Sequence, residues 1–325
     1  MTASLDDRLS ATAEPGAAPT TAGAAPATDA GTEGVQTPFR RFLADFLEDR
    51  IATGALVVLL ALIFVAVTAP WISPTDPYDL AKVDVLDGRL PPGATSFDGS
   101  VTYWLGTDGA GRDLLSAMFY GLRTSIGVGV MSGLIALLIG TAVGLTSAYY
   151  GGRVDTLIMR FVDIQLSFPA ILVALMLVTI LGKGVDKIII ALVIVQWAYY
   201  ARTVRGSALV ERRREYVEAA TCLALPPRRI LFRHLLPNCL PPLIVVGTVE
   251  TARAIALEAT LSFLGVGLPI TEPSLGLLIA NGFEYMLSGK YWISFFPGIA
   301  LLVTIVSINL VGDQLRDVLN PRLKR

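Results

Sequence analysis

The sequence predicts an all-α polytopic membrane protein with six transmembrane helices. Three observations carry that expectation. Hydrophobic residues make up 53% of the 325 residues and charged residues only 16%, where an ordinary soluble domain carries about 25% charged. The charge is missing in long blocks. The lysines and arginines that remain fall mostly in alternate connecting segments, the bias that orients membrane proteins.

Four uncharged runs are long enough to cross the hydrocarbon core, which takes about 20 helical residues. They cover residues 51–75, 124–152, 164–182 and 291–312. Two further runs are weaker. Residues 188–201 give only 14 uncharged positions, but Lys187 and Arg202 flank them, and long basic side chains reach the interface. Residues 235–271 are interrupted by Glu250, Arg253 and Glu258. Accepting both gives six spans. With the N-terminus inside, the inside segments hold 18 lysines and arginines and the outside segments 7, so both termini are expected in the cytoplasm.

Residues 1–38 are rich in Ala, Thr, Pro and Gly and can bury little apolar area, so a disordered cytoplasmic tail is expected there. They lack the basic start and early apolar run of a signal peptide. Residues 39–72 are assigned to the first transmembrane helix, 73–122 to an outer loop with a surface helix, and 123–325 to a core of five further transmembrane helices. The outer loop is punctuated by Pro74, Pro77, Pro91-Pro92-Gly93 and Asp98-Gly99, all turn formers. Asp108 is placed to cap a helix starting at Gly109 and running into the second span. Leu114, Leu115, Met118 and Phe119 would form its apolar side, along the membrane surface. Phe97, Tyr103 and Trp104 are expected to be exposed.

The loop between spans four and five, residues 211–238, is the most informative. Residues 215–224 read as a short helix. Pro226 and Pro227 break it, Pro227 suits the first position of a second helix through Leu236, and Pro237 is expected to end that helix. Tyr216, Ala219, Ala220 and Leu223 fall on one helical face, and Ile230, Leu231, Leu235 and Leu236 extend an apolar surface.

These residues resemble a known family. Glu218-Ala219-Ala220, followed by Ile230, His234 and Leu236-Pro237-Asn238, is similar to the EAA loop of binding-protein-dependent ABC importer permeases. Leu105-Gly-Thr-Asp-Gly-Ala-Gly-Arg-Asp113 with Tyr120-Gly-Leu-Arg123 is similar to the signature preceding span two in the C-type subunit of dipeptide and oligopeptide permeases. Leu257-Glu-Ala-Thr-Leu-Ser-Phe-Leu-Gly265 and the stretch from Asn309 to Arg322 resemble its fifth-span and C-terminal signatures. Ala224 stands where the family usually has Gly, Pro226-Pro227 where polar residues are common, and Leu275 where Trp often precedes Gly276.

The resemblance implies a type I ABC importer permease fold in a bacterial inner membrane, with dipeptides or oligopeptides as cargo. It implies four kinds of partner: a homologous second permease subunit, two ATPase subunits, an external substrate-binding protein and the surrounding lipid. It assigns ATPase coupling to Glu218, Ala219, Ala220, Leu223, Ala224, Ile230, His234, Leu236 and Pro237. The outer-face signature supplies Gly106, Thr107, Asp108, Gly111, Arg112 and Asp113, and Glu258 and Phe263 are candidates for pathway or gating.

Other chemistry is disfavoured. No Gly-x-x-x-x-Gly-Lys-Ser/Thr loop occurs, and Gly182-Lys183-Gly184 does not supply one. ATP hydrolysis therefore belongs on separate subunits. One histidine, His234, and no Cys-x-x-Cys pair leave no zinc pattern. No cofactor is expected, and Cys222 and Cys239, in or beside a basic cytoplasmic loop, are expected to stay reduced. The arginines of that loop are not interleaved with aromatics, so nucleic acid is not an expected partner. A secondary transporter would leave the cytoplasmic hairpin without a role and usually shows repeated halves. A membrane enzyme would need convergent catalytic groups, which the sequence lacks. Glu250 and Arg253, three apart, are expected to pair. Gly129/Gly133 and Gly140/Gly144 have the spacing that lets helices pack closely.

Overall fold

A computed structural model describes residues 38–79 and 83–319. The expected tail therefore falls outside the described residues, apart from Pro38. Among the described residues five helices are long and apolar enough to cross a membrane, and a sharply bent pair, counted as one span, gives a sixth passage. In order they are α2 (Arg50–Ile72), α3 (Leu114–Tyr150), the pair α4 (Gly152–Ser167) and α5 (Ala170–Leu181), α6 (Val185–Glu211), α9 (Leu236–Phe263) and α11 (Trp292–Leu319). Shorter pieces are α1 (Pro38–Leu47), a two-stranded sheet β1 (Ala94–Thr95) and β2 (Thr102–Tyr103), α7 (Glu215–Cys222), the single turn α8 (Pro227–Arg229) and α10 (Leu275–Phe283).

The segment expected as one helix over 39–72 divides in two. Asp49 breaks the chain in extended conformation and caps α2, accepting from the Ile51 and Ala52 amides. The α1 helix lies separately against α11, where Gln314 donates to the backbone carbonyls of Asp45 and Phe46. On α2 the buried residues are Ala52, Ala55, Ala66 and Ala69, while Val57, Leu60, Phe64 and Val67 are exposed. Small residues turned inward and large ones outward is the arrangement hydrocarbon favours, since lipid accepts the large side chains and only small ones let backbones meet.

The third span is not the straight segment 164–182. Residues 164–167 close the amphipathic α4, and α5 turns away from it by 88°. Pro169 accounts for the break: Phe168 ahead of it is extended, at φ −90° and ψ 139°, as the proline ring requires. Span four is longer than its uncharged run. The α6 helix continues 27 residues, to Glu211, and its basic end is neutralised on α4, with Arg205 on Asp155 and Arg202 on Asp163.

The two small-residue motifs of α3 serve different neighbours. A side chain added at Gly129 would strike Ile255 of α9, and one at Gly133 would crowd Thr251. At Gly140 it would meet the Trp197 carbonyl and Tyr200 of α6, and at Gly144 the Ala201 carbonyl, each at 2.5 Å. Thus α3 is the central post, with α6 and α9 drawn against it at different depths. Substituting Gly140 with Val should force α3 from α6 and cost about 1–3 kcal/mol, the range for overpacking. Gly127→Ala, where nothing lies within 4 Å, should change little. Thermal unfolding of the two purified variants measures the difference.

Candidate functional site

Three regions hold the candidate residues. The first is the loop before α3. Its centre is Asp87, 4% exposed, which the sequence reading passed over. Asp87 accepts from the Phe97 amide at 2.8 Å and the Tyr103 hydroxyl at 2.9 Å, and its carbonyl accepts from Thr107 Oγ1 at 2.5 Å. Tyr103 is therefore buried, against expectation, while Phe97 and Trp104 are exposed as expected. Burial first, then the Asp87 carboxylate, push the Tyr103 phenol above its ordinary value, so it remains a donor. Gly106 and Gly111 take left-handed φ values of 82° and 89°, and a side chain at either would strike a backbone carbonyl, of Leu90 or Asp84.

Asp108 caps no helix. Its carboxylate accepts from the amides of Ala110 and Arg112 and pairs with Arg112 Nε at 2.7 Å, both residues being buried. Arg112 Nη1 reaches on to the Ile270 carbonyl at 3.1 Å, which ties the loop to the connection after α9. The cap of α3 is Asp113, accepting from the Ser116 amide and hydroxyl. No helix starts at Gly109; Leu114, Leu115, Met118 and Phe119 instead form the first turns of the continuous α3. An Asp three residues before a Ser was the visible cue for that start. The outer-face signature is thus a self-folded clasp.

The second region is the hairpin of α7, α8 and the turns that follow. Here the expected face is corrected. Val217 and Ala220 point inward and pack with Ile230, Leu235 and Cys239, all buried. Tyr216, Ala219 and Leu223 are exposed, Leu223 at 75%. Ala220 and Ile230 therefore hold the hairpin to its own bundle, and the open face is Glu215, Glu218, Ala219 and Leu223. The α7 helix stops at Cys222, and Ala224 takes a left-handed φ of 52°. That conformation disfavours a side chain, which gives a physical reason for glycine at such a position.

Pro237 does not end the second arm. Ile230–Leu235 form a wide π-turn, with the Leu236 amide bonded to the Leu231 carbonyl, and the helix runs on through Pro237, Pro241 and Pro242 to Phe263. A proline brings no N–H, and the shifted ladder at the π-turn leaves room for one. The Asn238 side-chain Nδ2 donates to the His234 carbonyl at 2.8 Å and to the Tyr216 hydroxyl at 3.0 Å. Burial, then Glu211, push the Tyr216 phenol up to about 12. His234 and Leu236 are half-buried and Pro237 is exposed. Beside the hairpin lies a cleft of about 570 Å³ that includes Tyr149, Arg212, Glu218 and Cys222. Arg212 donates to the Ala148 carbonyl at 2.9 Å, fastening the hairpin's root to the end of α3.

The third region is α9. Glu258 is fully buried and accepts from Ser125 Oγ and Ser262 Oγ, both at 2.8 Å. It clamps α3 to α9 and lines no cavity among those described. Glu250 and Arg253 pair as expected, at 2.9 Å. Val249, Arg253, Ala256, Thr260 and Phe263 recur at helical spacing and are at least partly exposed. This stripe joins two cavities. One, of about 620 Å³, lies toward the hairpin and is lined by Val249 and Arg253. The other, of about 430 Å³, lies toward the outer loop and is lined by Phe263 and Lys183. Phe263 meets Phe283 edge-on with ring centres 5.7 Å apart. Among the described residues no group of three or more His, Cys, Asp and Glu could hold a metal, and both cysteines are free.

A bundle of broken and over-long spans, with a docked hairpin at one end and a folded clasp at the other, defines a polytopic permease subunit. Residues 136–325 match the family described as "Binding-protein-dependent transport system inner membrane component", and residues 37–92 match "N-terminal TM domain of oligopeptide transport permease C". The chain belongs to this family of binding-protein-dependent inner-membrane permeases. It is 37% identical over 288 residues to the di/tripeptide transport system permease protein DppC of Pseudomonas aeruginosa, covering 89% of this chain and 93% of that one. The glutathione transport system permease protein GsiD of Pectobacterium atrosepticum is 36% identical over 290 residues, 89% and 93% of the two chains. In fold it is similar to the inward-facing MetNI methionine ABC transporter, with TM-score 0.53 at 19% identity, covering 64% of this chain and 98% of that one. It is thus a multi-pass inner-membrane subunit of an ABC importer, not an enzyme, and its family works with an ATPase and a substrate-binding protein.

Two outcomes follow. Ala224→Val should destabilise the hairpin by about 1–2 kcal/mol, because a side chain in left-handed backbone meets the following carbonyl and a β-branched one meets it worst, whereas Ala224→Gly should not. Limited proteolysis at residues 222–228 reads this directly. Asp87→Ala should remove two hydrogen bonds from a buried site, about 1–3 kcal/mol. Amide exchange of residues 93–103 should quicken while that of α3 is unchanged.

Proposed function

We propose that this chain forms one half of a heterodimeric path for dipeptides or oligopeptides, and that the hairpin is the lever through which a separate ATPase moves it. The carrying observation is continuity. The hairpin's inner face is locked to its own bundle through Val217, Ala220 and Ile230, and its second arm runs without a gap into α9. A partner gripping Glu218, Ala219 and Leu223 therefore displaces the same helix that carries the Val249-to-Phe263 stripe. The peptide cargo is supported by the relatives, which include permease proteins of di/tripeptide and dipeptide transport systems. A homologous second subunit would complete the path by covering the open stripe, at a two-fold-like interface.

Both termini and the hairpin belong in the cytoplasm on the 18-to-7 distribution of basic residues, which puts the clasp outside. There the exposed Val85, Leu86, Phe97 and Trp104 offer an apolar patch on a folded support, suited to the substrate-binding protein. ATP-driven closure of the ATPase pair would then shift the bundle between outward-open and inward-open states by gripping the hairpin more tightly in one of them.

The test separates the outer from the inner face of α7. Glu218→Lys and Leu223→Asp should leave the bundle folded but lose ATPase co-purification and peptide uptake. Ala220→Arg should instead lower thermal stability, because it drives a charge into the buried cluster. Wild-type uptake and ATPase retention in both Glu218→Lys and Leu223→Asp would refute the lever.

A further inference from the structure

Arg253 is the one charged residue on the α9 stripe described above. Its side chain is 56% exposed, although it sits within a span and its ion-pair partner Glu250 is only 4% exposed. An arginine at such a depth usually faces a partner or a water-filled cavity. Here it does both. Nη1 donates to Glu250 Oε1 at 2.9 Å, and the guanidinium lies over the Tyr199 ring at 5.4 Å. The remainder of the group borders the cavity of about 620 Å³, whose walls include Pro241, Val245 and Val249.

A pair serving only to neutralise itself would be covered on both sides. In this one the anion is covered and the cation is presented. Glu250 cannot follow a ligand, because its carboxylate is buried and its backbone carbonyl is held by Gln196 Nε2 at 2.8 Å. The guanidinium, by contrast, has five N–H donors in a planar fork, and the pairing with Glu250 occupies Nη1. A planar fork of donors matches a carboxylate in two-point fashion. Asp313 and Arg316 of α11 line the same cavity, so it offers both signs to a molecule that carries both.

We propose that Arg253 is a transient subsite for the carboxylate of a peptide in transit. The inference rests on the peptide-path reading above. Glu250 already satisfies part of the guanidinium, so an arriving carboxylate gains only a modest contact. It is drawn in but not retained, which is the condition for conduction.

The test uses the complete importer with its ATPase, second permease subunit and binding protein, reconstituted in liposomes. Uptake of one peptide is compared with uptake of its C-terminal amide, each rate normalised to the measured loading of the binding protein. Wild-type protein should favour the free acid by about tenfold, the size of one charge-assisted hydrogen bond lost in a half-open site. Arg253→Gln should bring that ratio close to one, and Arg253→Lys, which keeps the charge without the fork, should fall between. Removal of the cation alone leaves Glu250 buried without its partner, so the double variant Glu250→Gln/Arg253→Gln removes both charges and should also bring the ratio to one. An unchanged ratio in both Gln variants, equal slowing of acid and amide, or a wild-type ratio of one would overturn the inference while leaving the peptide path standing. Failure of wild-type protein to take up either peptide from a loaded binding protein would remove the path reading and the inference together.

Discussion

In hydrocarbon an unpaired polar group has no solvent to turn to, and most of the polar contacts inside this bundle answer that constraint, although the Thr141 and Tyr200 hydroxyls and Gln196 Oε1 are buried without a partner. Glu258 is enclosed by two serine hydroxyls from α3 and α9. Gln196 reaches across from α6 to a backbone carbonyl of α9. Five threonines on the spans, the buried Thr304, the half-buried Thr146 and Thr251 and the exposed Thr179 and Thr260, return their hydroxyls to the carbonyl four residues earlier. Each polar residue thus becomes a point where two helices, or two turns of one, are held at a fixed spacing. With those points set, the small residues of α3 can bring backbones into direct contact. The polar group left open on α9 is then conspicuous for being open.

Much of this was legible in the sequence, because the bilayer imposes a length on uncharged runs that few other environments do. All six passages were found, including the weak one at 188–201, which its flanking basic residues supported. The Glu250–Arg253 pair followed from helical spacing alone. What escaped was direction within an element. Tyr216, Ala219, Ala220 and Leu223 do share a face by spacing, yet the buried pair is Val217 and Ala220. Periodicity in an eight-residue helix cannot say which side meets its own bundle. Tyr103 escaped for a related reason: an aromatic in a loop looks exposed until the carboxylate it bonds, 16 positions earlier, is located.

Proline was the other source of error, and it erred in both directions. Pro169 produced a break that the uncharged run 164–182 gave no sign of, turning one span into two helices at nearly a right angle. Pro237, with Pro241 and Pro242 behind it, produced no break, because the π-turn ahead of it had already shifted the ladder. The residue type is the same, and the outcome differs with the state of the hydrogen bonds around it. That distinction matters for how motion could pass through the molecule. A break at Pro237 would have left the hairpin on a loose tether, whereas the unbroken arm joins hairpin and α9 in one continuous helix.

The clasp before α3 has a further consequence, concerning what can vary between related proteins. Its fold is maintained by Asp87, Tyr103, Thr107, Asp108 and Arg112, all inward-facing. Its apolar tip residues, Val85, Leu86, Phe97 and Trp104, contribute little to that framework. Framework and exposed tip are therefore separable in the same short segment, much as a rigid bezel can take different stones. If the tip meets an external partner as proposed above, substitutions there can change that partner while the framework beneath them stays as it is.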